Sequence, residues 1–171
     1  HLRNTLTSTG PYEFEISADN AFTDMSRNYI FMVLSVTKKD GSDIEEGTAP
    51  ESGKPVDYRH SIINLLGKTF FHQVKLWIGG KLIYDSGDCY HYRAYLKTLL
   101  NFSNSAKETH LQAACYYKDT AGAMNTKTGN GFRWRARLID GSRKFELQAP
   151  LHGELFNQER LLLSNLPMRL E

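Results

Sequence analysis

The sequence predicts an all-β fold, a jelly-roll antiparallel β-sandwich of about eight strands with a short helical insertion. Three observations carry that reading. Apolar and polar residues alternate at period two in several short runs, Gly- and Asp-containing turns separate the runs, and most connections between them are long. Long connections suit a two-sheet sandwich with crossing loops better than a meander of hairpins. The length agrees, since 171 residues make a single domain over positions 1–171, a size that buries roughly 70% of the extended-chain surface without help from a disulfide or a metal. Aromatic residues, mostly Tyr and Phe, make up 12% of the chain, which favours strands over a helical bundle.

Residues 1–9, rich in Thr and Ser, read as an arm or loop. Tyr12, Phe14 and Ile16 then alternate with Glu13, Glu15 and Ser17, which places the apolar set on one face of a half-buried strand. A polar turn follows at Asp19 and Asn20. From Tyr29 to Val36 nearly every position is apolar, predicting a central strand covered on both faces. Asp40-Gly41 punctuates the chain, and Ser42 to Pro55 reads as a long surface loop with little capacity to bury anything. Ser61 to Leu66 suits one helical turn. Phe70 to Ile78 predicts a strand, and Gly79-Gly80 supplies the positive φ angles of a tight hairpin into Lys81 to Tyr84.

The helical insertion is expected over about 90–117. Tyr92, Tyr95, Leu96 and Leu99 recur at helical spacing, and Ser105 can cap a second helix through Leu111 and Ala114. Lys118 to Asn130 is small and polar, a loop. The clearest strand signal follows: Phe132, Trp134, Ala136 and Leu138 alternate with Arg133, Arg135 and Arg137. Asp140-Gly141 turns the chain into a return strand carrying Phe145, Leu147 and Ala149. Leu161 to Leu163 and Met168 to Leu170 predict two last short strands.

Little in the chain points to chemistry. A net charge of +2 gives no bulk electrostatic case for nucleic-acid binding and leaves only local patches. Two cysteines, Cys89 and Cys115, read as free thiols. Cys89 and His91 form one loose pair, with His60, His72 and His110 dispersed, whereas a zinc site needs ligands paired at short spacing in two clusters. There is no Gly-x-Ser-x-Gly elbow, and Glu13 and Glu15 read as solvated charge rather than a glycosidase pair. Gly129-Asn130-Gly131 is expected to precede a strand and so to lack a phosphate-binding helix N-terminus. On a strand, Arg133, Arg135 and Arg137 would point the same way, either toward phosphates or a partner's carboxylates or into pairs with acidic neighbours. Asn101-Phe102-Ser103 matches a glycosylation pattern but reads as incidental. No apolar stretch reaches membrane-spanning length and no signal peptide is visible. The chain begins at His1 rather than Met, which suggests a piece of a longer protein. No catalytic, cofactor-binding or metal residue is assigned, and the chain reads as a non-enzyme.

Several segments, taken in order, resemble one family. They are Gly10-Pro11-Tyr12-Glu13-Phe14, His60-Ser61, Gly80-Lys81-Leu82-Ile83, Tyr92-Arg93-Ala94-Tyr95-Leu96-Lys97-Thr98-Leu99-Leu100, Tyr117-Lys118-Asp119-Thr120-Ala121-Gly122, and Leu151-His152-Gly153-Glu154-Leu155-Phe156-Asn157-Gln158-Glu159. This succession is similar to the major capsid proteins of Polinton/Maverick elements and adintoviruses. The likeness runs from about Gly10 to Glu171.

The resemblance implies a structural protein. Members of that family are double jelly-roll proteins that trimerise into capsomers of an icosahedral shell. This chain would correspond to the first of the two jelly rolls. Its partners would then be other capsid subunits, with penton or minor capsid proteins as further ones. Nucleic acid would be met only by encapsidation, no membrane is implied, and the location would be the virion after folding inside the host cell. Tyr92, Tyr95 and Leu99 would pack a helix against the sandwich, and Asp119 would fix the following loop. A carbohydrate- or receptor-binding sandwich displaying aromatics such as Trp77 stays open beside it, whereas the scattered histidines argue against a cupin-like enzyme.

Overall fold

In the computed structural model of the chain, residues 10–17, 20–48, 56–163 and 165–171 are described; the expected arm over 1–9 lies outside them, as does part of the 42–55 loop. Among the described residues six strands form, where about eight were expected: β1 (Phe14–Ile16), β2 (Ile30–Leu34), β3 (Lys75–Ile78), β4 (Lys81–Asp85), β5 (Phe145–Ala149) and β6 (Met168–Leu170). Four helices accompany them: α1 (Leu66–Thr69), α2 (Tyr90–Asn101), α3 (Asn104–Glu108) and α4 (Asn130–Ile139). One sheet has four strands in the order β1-β6-β3-β4, the other pairs β2 with β5, and every pairing is antiparallel. Two antiparallel sheets were expected. Helical residues nevertheless outnumber strand residues among those described, so the all-β expectation is corrected to a mixed fold.

The largest correction is α4. Phe132 to Leu138 alternates at period two but winds into a helix whose buried side carries Gly131, Arg135, Ala136 and Ile139. Phe132, Arg135, Ala136 and Ile139 stand at i, i+3, i+4 and i+7, a helical face whose i+3 position is a charged residue. Because Arg135 occupies a core position, the helical period is hidden and the accidental alternation shows instead. Arg, Ala and Leu are also good helix formers. Gly129-Asn130-Gly131 therefore does precede a helix, and helices are not confined to 90–117.

The β2–β5 sheet is amphipathic. Ile30, Met32 and Leu34 face inward opposite buried Ala149, Leu147 and Phe145, while Phe31 and Val33 face outward opposite exposed Gln148 and Glu146. The expectation that Tyr29 to Val36 is covered on both faces is thus corrected. The hairpin at Gly79-Gly80 forms as expected, with φ angles of 56° and 79°. Strand β3, however, begins only at Lys75, five residues later than expected, and Leu162 makes a lone bridge to Thr23 where a strand was predicted.

Three apolar clusters hold these parts. Val74, Leu76 and Met168 on the larger sheet pack with Tyr90 and Ala94 of α2 and with Leu151 and Phe156. Phe145 and Leu147 on the smaller sheet pack with Ile139 of α4, Cys115 and Ile44. Ile44 is only 7% exposed, so the segment after Asp40-Gly41 does contribute to the core, contrary to expectation. Leu65, Leu111, Ala114, Tyr116 and Ala149 form the third cluster around α1. That turn of helix starts at Leu66 rather than spanning Ser61 to Leu66.

Helix α2 forms as expected but rotated. Tyr90, Ala94 and Thr98 are its buried residues, whereas Tyr92 and Leu96 point outward. Ala94 and Thr98 are small enough to bring the backbone close, and the Thr98 hydroxyl donates to the Ala94 carbonyl at 2.8 Å, which satisfies it in the core. Tyr92 therefore does not pack the helix inward; Tyr95 and Leu99 do so partially. The next helix is capped by Ser103, not Ser105: its hydroxyl accepts from the Ala106 N–H at 3.2 Å.

Candidate interaction surfaces

Asp119 and Arg135 meet in a buried ion pair. The guanidinium donates to Asp119 Oδ1 at 2.8 Å, with side-chain exposures of 4% for Arg135 and 10% for Asp119. It also donates to the Ile62 carbonyl at 3.0 Å and the Tyr117 carbonyl at 3.3 Å. Asn64 completes the network, donating to Asp119 Oδ2 at 3.0 Å and to the Tyr117 carbonyl at 2.8 Å. Its Oδ1 accepts from the backbone N–H of Leu65 and of Tyr117, both at 2.9 Å. Each buried polar atom thus has a partner, which is what makes such a pair tolerable in a core. Asp119 ties the α1 entry to α4, and the loop between Asp119 and α4 closes through successive turns at Ala123, Thr126 and Gly129. The pair holds Asp119 itself, at the start of that loop, against α4 and the α1 entry.

The three arginines separate on the helix. Arg135 turns into the core. Arg133 and Arg137 stand one turn apart on the side of the helix next to Trp134, and neither makes an ion pair among the described residues. Trp134 is 55% exposed, stacks on Tyr117 at 6.4 Å with planes 11° apart, and has the Arg137 guanidinium 5.9 Å from its ring. Sequence reasoning singled out these arginines but placed them on one face of a strand; it missed Trp134, whose exposure only the helical geometry gives. Trp77, the aromatic weighed for glycan binding, is half-buried under Arg169, whose guanidinium lies 4.1 Å from the ring.

Apolar side chains are exposed elsewhere too, in three groups that bear on docking. Tyr29, Phe31 and Val33 stand on the outer side of the β2–β5 sheet, each more than half exposed. Tyr92, Leu96 and Leu100 form a stripe at i, i+4 and i+8 on α2, and a cleft of about 420 Å³ beside Tyr92 is lined by Ile63, Tyr95, Met124 and Phe132. Leu82 and Ile83 stand out from β4, an edge strand. A second cleft of about 450 Å³ lies beside β1 and β3, lined by Tyr12, Phe14, Ile30, Phe71 and Leu170.

Cys89 is exposed and Cys115 buried, both as free thiols, and burial pushes the Cys115 thiol up to about 11. His72 and His91 stack at 5.6 Å, and His72 Nδ1 lies 3.9 Å from exposed Asp88. Among the described residues no group of three or more His, Cys, Asp or Glu side chains is placed to hold a metal ion. Burial lowers the Lys68 ammonium below its ordinary value, helped by Lys97. No described helix is long and apolar enough to cross a membrane.

No protein-family model matches the chain, and no solved structure matches it. A Caenorhabditis elegans protein described as uncharacterized protein F54H12.2 is 24% identical over 171 residues, 99% of this chain and 39% of the relative. The chain thus spans about two fifths of the length of the curated relative it matches.

Proposed function

We propose that the chain is a jelly-roll-type domain of a viral or virus-like major capsid protein, a structural unit that works by burying its sides against neighbouring subunits. The observation that carries this is the apolar outer side of the β2–β5 sheet. Phe31 and Val33 on β2, and Tyr29 just before it, are each more than half exposed beside a sheet of two strands among the described residues. Exposed apolar surface of this kind marks an interface, and a two-stranded sheet is marginal without something packed upon it. The α2 stripe and the β4 edge give further lateral surfaces. Order of the resembling segments along the chain supplies the family, and a relative with well over half its length outside the match has room for a companion domain.

The buried Asp119–Arg135 pair is read as a packing contact that joins the segment before the 120–129 loop to α4. The carbohydrate- or receptor-binding alternative loses Trp77 as a stacking shelf, because Arg169 covers it. Sedimentation and electron microscopy of the longer parent protein test the capsid reading. Stable trimers, or pseudo-hexagonal capsomers in the images, are the expected result. A parent that stays monomeric at all concentrations, salts and pH values would overturn it.

A further inference from the structure

We propose that the outward side of α4, with Tyr117 and Lys118 beside it, binds single-stranded nucleic acid. The inference does not depend on the capsid reading. Trp134 offers an indole that is 55% exposed, and the near-parallel Tyr117 ring stacks with it at 6.4 Å. The Arg137 guanidinium lies 5.9 Å from that ring, Arg133 stands one turn before Arg137 on α4, and no described carboxylate pairs with either. An open cleft of about 470 Å³ adjoins Tyr117 and Trp134, with Lys107, Lys118, Gln112 and Asn130 supplying donors. Glu108 and Asp119 also line it, but Asp119 is already neutralised by Arg135 at 2.8 Å. The Lys107 ammonium spends one donor on the Leu99 carbonyl at 2.7 Å and keeps two.

Unpaired guanidiniums next to an exposed aromatic are the two halves of single-strand recognition. The cations track phosphates while a base stacks on the ring. A base is free to stack only when it is unpaired, so a duplex gains the charge contacts but not the stack. Neutral sugars also lie on indoles, yet they would leave both guanidiniums without the anion they are shaped to hold. The net charge of +2 obscures this, because the patch is local.

Fluorescence anisotropy of the 171-residue chain with labelled single-stranded oligo-dT and oligo-U at low salt is the test. A blunt duplex, heparin and a neutral oligosaccharide serve as competitors. Single strands should bind more tightly than duplex. Trp134→Leu should weaken binding roughly 5- to 150-fold, the range for losing one base stack, while Trp134→Phe retains it. Arg133→Gln with Arg137→Gln should lower the log–log salt slope by about 1.4, two phosphate contacts at about 0.7 each. Circular dichroism melts of each variant verify that the fold is kept. Overturning results are no binding up to about 100 μM protein, the weak limit of non-specific affinity, or duplex and single strand bound equally with Trp134→Leu silent. Binding of heparin or the neutral oligosaccharide in preference to the oligonucleotides would overturn it too.

Discussion

Arg135 shows how one residue sets both the fold and the difficulty of reading it. A guanidinium in a core needs its charge matched and its donors engaged; Asp119 matches the charge, and Nε and Nη1 donate to Ile62, Tyr117 and Asp119. Removing Asp119 leaves a buried cation without its anion. Asp119→Ala should therefore cost about 3–5 kcal/mol in urea-induced unfolding, whereas Asp119→Leu combined with Arg135→Met should be less damaging than either single change. His152 gives a second residue-scale expectation. Burial, and then the charges of Lys97, Lys68 and Arg93, push its imidazole from the ordinary 6.5 down to about 4. Between those values the unfolded chain binds a proton that the folded chain refuses. The His152 contribution is thus complete above pH 6.5 and is lost as the pH falls toward about 4. Urea midpoints measured from pH 7 to about 4.5 should decline, and His152→Asn should make the decline shallower. An unchanged slope in the variant would assign the acid sensitivity elsewhere.

At the scale of elements, the sequence was most legible where one face is buried and the other is wet. Strand β5, with Phe145, Leu147 and Ala149 inward, and the Gly79-Gly80 hairpin follow directly from alternation and turn chemistry. Helix α2 was legible as a helix, but its buried side was not, because small residues that bring backbones together carry a weaker hydrophobic signal than the outward Tyr92 and Leu96. Helix α4 was misread because its core face includes Arg135, a residue buried only by a partner sixteen positions away. The aromatic and basic side of α4 was half legible: its arginines stood out, but their grouping with Trp134 required the helix. Gly131 tests this account of α4. A Cβ there would run into the Asp119 carboxylate and lie 2.8 Å from the Lys118 carbonyl, which belongs to the backbone and cannot swing aside. Gly131→Ala should destabilise by about 1–3 kcal/mol, the usual cost of overpacking, and should lower the melting temperature, although alanine is the better helix former.

Across the whole molecule, helices are distributed over both sheets: α2 packs on the larger one and α4 on the smaller. The β2–β5 sheet is therefore buried on its inner side by its own chain and left apolar on its outer side, where Tyr29 and Phe31 are 61% and 59% exposed. Surface this apolar is costly in water, roughly 25 cal/mol for each Å² left wet, so bringing two such surfaces together is favourable. The 171-residue chain should accordingly self-associate reversibly in sedimentation velocity, with the mean sedimentation coefficient rising with concentration. Phe31 and Val33 lie outside the core, opposite Gln148 and Glu146, so Phe31→Glu with Val33→Thr removes apolar surface without opening a cavity. That variant should stay monomeric at concentrations where the parent chain associates, with its melting temperature little changed. Association that persists unchanged in the variant would move the interface to the Tyr92–Leu96–Leu100 stripe, which Leu96→Glu would then abolish. A chain that is monomeric without any substitution would remove the β2–β5 surface as the support for assembly.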